Sequence, residues 1–447
     1  MSISSSMYTS MSSLFCLEKK MAVLGDNIAN VSTTGFRGSR VSFEDVLSQA
    51  TGAGGVRLNP AGFTSDFSKE GSTEASDTAT HMAISGDGFF ILRDPEDTSS
   101  TYYTRAGGFS FDSEGYLVNP GGHIVQGYEF SDQGTEGTTP ADIQLNLTTP
   151  AATVDNPDPA PRLVSPPSAS TRLTMISNID ARSQDHSPGG LLGSWDGTEI
   201  DSENYELRAE HYIYDSSGDT HSIEVYYDRD IAQGNNVWEY LIASEGEVLA
   251  SGDITFDSYG YINAMSGTPN DNGYITFPTP FAGAGTIEFD AGVTYDVDDG
   301  VWERGTLTTT QFGYGSYAKS ANSDGYGEGD LMDFSVTSDG IIRARFDNGV
   351  ISDLFRVGLA KSIDPSSHLH RIGSTLFQAD SESEDLITGI PGSSGLGIIL
   401  GNSLETSNVE LAEQFGELIF TQRAFQANSK GIVAADEMIK TAMGLKR

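Results

Sequence analysis

The sequence is short of thiols, of positive charge and of long apolar runs. Cys16 is the single cysteine in 447 residues, which excludes an internal disulfide framework. Against 63 Asp and Glu stand 25 Lys and Arg, a net charge of −38. A chain this acidic repels nucleic acid and anionic lipid surfaces, so no nucleic-acid partner is expected. No run approaches the roughly 18 apolar residues of a membrane-spanning helix, and no membrane insertion is expected. The N-terminus also has no basic stretch leading into an apolar one, so export, if it occurs, uses no ordinary cleaved signal.

A catalytic constellation is also missing. His368 and His370 form a His-x-His, but neither a cysteine nor a paired acidic cluster lies beside them in the chain, and they read as partly exposed surface histidines. The phrase "DVDDG", Asp296 to Gly300, lacks the alternating ligands and the closing Glu of a calcium loop and reads as a turn. "PGSSGLGIIL", Pro391 to Leu400, has the spacing of neither a phosphate loop nor a nucleophile elbow. No enzymatic activity, no cofactor and no metal site is therefore expected.

The acids are unevenly placed. Residues 1–40 hold four bases and two acids and residues 402–447 five bases and six acids, so the ends sum to +1 and the middle carries −39. Near-neutral ends can pack against copies of themselves, whereas the middle prefers water.

Both ends carry helical heptads. Met7, Leu14, Met21 and Ile28 lie seven apart, with Ile3, Leu17, Leu24 and Val31 in the companion row and Ser10 the polar intruder. Leu404, Leu411, Leu418, Phe425, Ile432 and Ile439 repeat the pattern at the other end, beside a half-polar row that includes Phe415. "SNVE", Ser407 to Glu410, reads as a capping box and places the helix start near Asn408. From there to Met443 the helix would span about 54 Å at about 1.5 Å per residue. One apolar stripe usually means ordinary core. Two stripes at opposite termini, each cut off from the rest by a polar or Gly-rich break, point instead to a helical pair that packs against other chains.

Between the helices the pattern is that of β-sheet, with short alternating runs broken by Gly, Asp and Ser. The phrase "FSFDSEGYL" (Phe109 to Leu117) recurs as "ITFDSYGYI" (Ile254 to Ile262), each a strand, an Asp-Ser-x-Gly turn and a second strand. "FSVTSDGIIRARFDNGV", Phe334 to Val350, is a looser third instance. Seven of the 16 prolines cluster between Pro140 and Pro167, and "YAKSANSDGYGEGD" (Tyr317 to Asp330) forms a second break. The expected fold is mainly β with α-helical termini. A terminal helical domain, coiled-coil-like (1–30 and 402–447), is followed by a linker (31–69), a β-domain (70–148 and 330–401) and a second β-domain inserted into the first (149–329).

Three blocks then carry a resemblance. "LGDNIANVSTTGFR" with its upstream heptads, "ISGDGFFIL" followed by "YTRAGGFSFDSEGYLVNPGGHIVQGY", and "LETSNVELAEQFGELIFTQRAFQANSKGIVAADEMI" resemble the shared segments of bacterial flagellar axial proteins, the rod and hook family. The segments "HYIYDSSGDTHSIEVYYDRD" and "NVWEYLI" resemble the outer domain of hook proteins, whereas distal rod proteins are shorter.

The resemblance implies inner, middle and outer layers of a self-assembled, flexible curved tube joining rod to filament. The assembly seam would comprise Met7, Leu14, Leu17, Met21, Leu24, Ile28, Leu411, Phe415, Leu418, Phe425, Ile432 and Ile439. Implied partners are further copies of the chain, the distal rod, hook cap and hook–filament junction proteins, and the flagellar type III export apparatus. The implied location is the extracellular hook in the basal body region. "FEDVL", with Phe43 and Leu47, resembles the Phe-x-x-x-apolar element that early substrates present to the export gate. The competing expectations are a rigid distal rod protein of the same family and a secreted β-rich hydrolase with helical oligomerisation ends.

Overall fold

The computed structural model describes residues 3–47, 56–97, 100–131, 136–149, 160–267, 269–281, 285–379 and 386–444. Helix occupies the two termini, Ile3–Ala29 and Leu411–Gly444, and nearly every other element is a strand. No described helix is long and apolar enough to cross a membrane.

The chain forms two compact units: residues 1–163, 332–345 and 351–447, and residues 164–331 with the turn 346–350. Within the first unit Thr148 pairs with Arg162, and Leu163 is buried.

The first unit is built around an antiparallel sheet whose neighbouring strands are Ile341–Phe346, Ile351–Val357, Ile124–Glu129, Phe89–Arg93, Thr101–Thr104, Leu376–Ala379 and Leu369–Gly373. Strands from before and after the insertion thus share one sheet. Phe67, Phe89 and Phe377 pack edge to face at 5.2–5.9 Å beside Ile91, Tyr103 and Leu369. Such pairs add roughly 0.5–1.5 kcal/mol beyond their area.

The second unit contains an antiparallel meander, Leu207–Tyr214, Thr220–Arg229, Val237–Ser244, Glu247–Phe256 and Ile262–Met265. A mixed sheet accompanies it, in which Arg172–Asp180 runs parallel to Thr286–Asp290 and Thr310–Phe312 and antiparallel to Tyr317–Ser323. Trp238, Tyr227, Tyr240, Phe277 and Phe289 fill its core. The insertion is therefore one compact unit.

The recurring phrase forms the same turn twice. Asp112 accepts the backbone N–H of Glu114 and Tyr116, and Asp257 those of Tyr259 and Tyr261, at 2.8–3.0 Å. Gly115 and Gly260 follow at φ +86° and +82°, where a side chain is strained.

Several carboxylates of the second unit are held ionised. Two hydrogen bonds from the Arg182 side chain and one from its backbone lower Asp180 to about 2. Burial alone would raise Glu288, but bonds from Asn272, Arg172 and Asn270 outweigh it and lower the pKa. A depressed folded-state pKa contributes stability that is present above the unfolded value, near 4, and lost as pH falls through the folded value. The urea midpoint of this unit should therefore fall between about pH 4 and pH 2, with part of the slope removed by Arg182→Gln. All three tryptophans, Trp195, Trp238 and Trp302, lie in this unit, so their fluorescence reads it selectively; a midpoint flat across that range would contradict the assignment.

Candidate assembly site: the terminal helices and their junction

The two terminal helices lie side by side and antiparallel, as three side-chain pairs show. Asn428 donates to Ser13 at 2.9 Å, Lys20 meets Glu417 at 2.8 Å, and Asn27 donates to Gln414 at 3.0 Å. Leu24 and Cys16 are buried on the N-terminal helix, and Thr421 and Ala435 on the C-terminal one. Met7, Leu14, Leu17, Met21, Ile28, Leu418, Phe425, Ile432 and Ile439 are half-buried. Leu411 and Phe415 remain 41% and 49% exposed.

A second apolar surface, absent from the heptad reading, points away from the helix pair. On the C-terminal helix it comprises Ile419, Phe420, Val433 and Met438, and on the N-terminal helix Met11 and Phe15, all more than 45% exposed. Single exposed apolar residues are ordinary, but contiguous patches mark interaction surfaces. Each such side chain contributes about 1.5–3 kcal/mol when fully buried.

The N-terminal helix ends where expected. Asn30 donates both its backbone N–H, at 3.1 Å, and its side-chain amide, at 2.9 Å, to the Asp26 carbonyl, and the polar stretch Ser32 to Gly35 follows. Gly35 follows at φ +65°, with its Cα so close to the next segment that a Cβ would sit 2.4 Å from the Ala106 nitrogen.

The C-terminal helix starts at Leu411 rather than near Asn408. Asn408 is engaged elsewhere: its oxygen accepts the Gly38 N–H at 2.8 Å and its amide donates to the Asp66 carbonyl at 2.9 Å. Asn27 does the same from the other helix, exchanging 2.8 and 3.0 Å bonds with the backbone of Ser39. The segment 31–69 thus carries an antiparallel strand pair, Ser39–Leu47 with Val56–Ser65, held by Asn27 of the N-terminal helix and by Asn408 just before the C-terminal one. Phe43 and Leu47 lie in its first strand; their side chains fall outside the described residues.

Beneath this strand pair the three family-like blocks meet at one carboxylate. Glu405 receives Arg37 at 2.8 Å on one oxygen and Arg105 at 3.4 Å on the other, with all three side chains at most 5% exposed. Its first oxygen also accepts the Gly71 N–H at 2.9 Å, and its carbonyl accepts that of Gly35 at 2.8 Å. Arg37 reaches on to the Lys69 carbonyl and Arg105 to that of Gly86, at 3.0 and 2.7 Å. Burial pushes the Arg105 guanidinium down, and Glu405 draws it back up.

Two buried cations share one anion, so Glu405 is the residue on which this junction depends. The phrases "TGFR", "YTRAGGF" and "LETSN" contain these three residues, but nothing local to any of them marks it as a partner of the others. Arg371 adds an outer clasp, 4.3 Å over the Phe36 ring and 3.2 Å from Asp26.

The remaining sequence candidates do not converge. His368 closes a short helix and bonds the Asp364 carbonyl at 3.1 Å, while His370 lies in the following strand. "DVDDG" is a hairpin turn in which Asp296 accepts the N–H groups of Asp298 and Asp299 at 2.8 and 3.1 Å. Among the described residues the one carboxylate group with metal-like spacing is Asp230, Glu239 and Asp253, in the second unit and without a histidine.

Family models match four stretches of the chain. They are Flagella basal body rod protein over residues 7–37, Flagellar hook protein FlgE/F/G D1 domain over 83–156, Flagellar basal body protein FlaE D2 domain over 178–326, and Flagellar basal body rod FlgEFG protein C-terminal over 401–445. The chain is 30% identical over 466 aligned residues to the flagellar hook protein FlgE of Borreliella burgdorferi, covering 99% of each chain. It is 28% identical to that of Treponema pallidum, again covering 99% of each. Among solved structures, the Helicobacter pylori flagellar hook protein FlgE2 aligns with a TM-score of 0.48 and 15% identity, over 74% of this chain and 100% of that one. With whole-length identity at this level, the chain belongs to the flagellar hook protein family.

Proposed function

We propose that this chain is the structural, non-catalytic subunit of an extracellular flagellar hook, polymerising into a flexible curved tube that links rod to filament. The observation that carries this reading is the second apolar surface of the helix pair. Leu24, Cys16 and the half-buried rows are used within the chain, while Phe415, Ile419 and Phe420 are left in water on ends that carry almost no net charge. Such a surface is complementary to another near-neutral helix pair and to little else on an otherwise acidic chain.

In this reading the seam residues Met7 to Ile28 and Leu411 to Ile439 line an inner tube, the first β-domain forms a middle layer and the inserted unit an outer one. Dry helical contacts keep the core continuous, while wetter acidic contacts slide as each protofilament lengthens and shortens once per turn. The distal rod, hook cap and hook–filament junction proteins are its neighbours. The type III export apparatus delivers it without a cleaved signal, with Phe43 and Leu47 presented to the gate before the strand pair folds.

Negative-stain microscopy of the purified chain after salt-induced polymerisation tests the reading. Curved tubes are expected. Straight tubes would indicate a rod-type subunit, and no polymer under any condition would overturn the assembly role.

A further inference from the structure

One face of the inserted unit departs from the acidic character of the chain. Acids make up 63 of 447 residues, yet none occurs from Arg304 to Ser323. In this stretch and the turn beside it, aromatic rings form a continuous ribbon. Tyr261 and Phe312 lie 5.6 Å apart, Phe312 and Tyr314 5.9 Å, and Tyr314 and Tyr317 6.4 Å. Arg304 sits 4.4 Å over Tyr261 and Lys319 5.9 Å over Phe312. The ribbon is open to water: Tyr259 is 78% exposed, Leu307 64%, Tyr314 52% and Tyr317 45%. Of the nearby acids, Asp257 is engaged in its turn and Asp180 with Arg182, while Glu303 stands exposed beside Arg304. Aromatic rings with interleaved cations are the composition of interface cores, not of solvated faces.

The same unit carries the opposite chemistry on the hairpin Val293–Asp296 and Val301–Arg304. Its tip exposes Val297 and Val301, 61% and 51% accessible, flanked by the exposed Asp298 and Asp299. An apolar tip flanked by carboxylates is complementary in charge to an apolar ribbon that carries Arg304.

We propose that the aromatic ribbon of one copy receives the Asp296–Val301 hairpin tip of a second copy. Val297 and Val301 lie against the rings, and Asp298 and Asp299 turn toward the exposed Arg304, since Lys319 is held by the Thr308 carbonyl and the Thr310 hydroxyl. The two patches differ, so the contact is head-to-tail and can repeat along a polymer. The inference rests on the polymer reading above and assigns to it the surface through which inserted units touch. The charged part of the contact weakens with salt, so it is the part that can slide.

The test uses full chains carrying Cys16→Ala, one set with Tyr314→Cys and the other with Val297→Cys, polymerised together and oxidised. Disulfide-linked dimers are expected in the mixture and not in either set alone; Tyr259→Cys paired with Val297→Cys serves if position 314 proves intolerant. Tubes without cross-links, with the thiol introduced by Tyr314→Cys still open to a maleimide reagent, overturn the contact and leave the polymer reading standing. Cross-links in the Tyr314→Cys set alone would mean ribbon-to-ribbon pairing and also overturn it. Failure of the parent chain to form tubes overturns both. If the introduced ribbon thiol is shielded in tubes only after an acidic polysaccharide is added, the ribbon serves that ligand and the proposed contact is wrong.

Discussion

Phe420→Asp should abolish tube formation while leaving the fold of the monomer intact. Phe420 is 73% exposed on the face of the C-terminal helix turned away from the N-terminal one, so a carboxylate there meets water in the free chain. In a tube whose wall is made from that face, the same carboxylate would be buried without a partner, a change that disfavours the contact by several kcal/mol. At about 1.4 kcal/mol per tenfold, about 3 kcal/mol raises the critical concentration by more than about 100-fold. The contrast is Leu418→Asp, which lies half-buried against the N-terminal helix and should loosen the helix pair in the monomer as well as block assembly. Sedimentation separates polymer from monomer, and helical circular dichroism reads the pair. Phe420→Asp chains that form tubes at the parental concentration would show that the outward face is not the wall.

Glu405→Gln should destabilise the first unit by about 3–5 kcal/mol and leave the second untouched, because removing one partner from a buried ion cluster strands the other charges. Here two guanidiniums, of Arg37 and Arg105, lose their single carboxylate at positions at most 5% exposed. Relaxation is blocked on one side by Gly35, whose backbone is pressed against Ala106, and on the other by Gly71, where a Cβ would sit 1.8 Å from the Thr406 carbonyl. The expected record is an early loss of far-ultraviolet signal in urea, with tryptophan fluorescence, which reports the inserted unit, moving at the parental midpoint. A milder result for the double replacement Arg105→Met with Glu405→Gln would confirm that stranded charge is the cause. An unchanged far-ultraviolet midpoint in Glu405→Gln would mean that the cluster contributes no stability.

The helices and turns were legible because their signals are local. The heptads at Met7 to Ile28 and Leu411 to Ile439 have the period of a helix, and the polar stretch Ser32 to Gly35 that follows the first of them is equally local. The Asp-Ser-x-Gly phrase forms the same turn at Asp112 and Asp257 because its bonds span four residues at most. The strand pair 39–47 and 56–65 has no comparable local signal, because the bonds that hold it come from Asn27 and Asn408, residues at opposite ends of the chain. Asn408 shows why: its local context is that of a cap, and a long-range demand outweighs it.

What the sequence determined by itself is therefore whatever depends on residues within a few positions of one another, together with family membership, which rests on long contiguous blocks. It included the helical ends, the β-rich middle and the charge contrast between them. The tertiary structure decided the antiparallel pairing of the helices, the parallel strands beside Arg172–Asp180, the meeting of Arg37, Arg105 and Glu405, and which side of each helix is left in water. These depend on pairings between residues far apart in the chain, 415 positions in the case of Ser13 and Asn428. Periodicity marks a face as apolar but carries no information on which partner covers it.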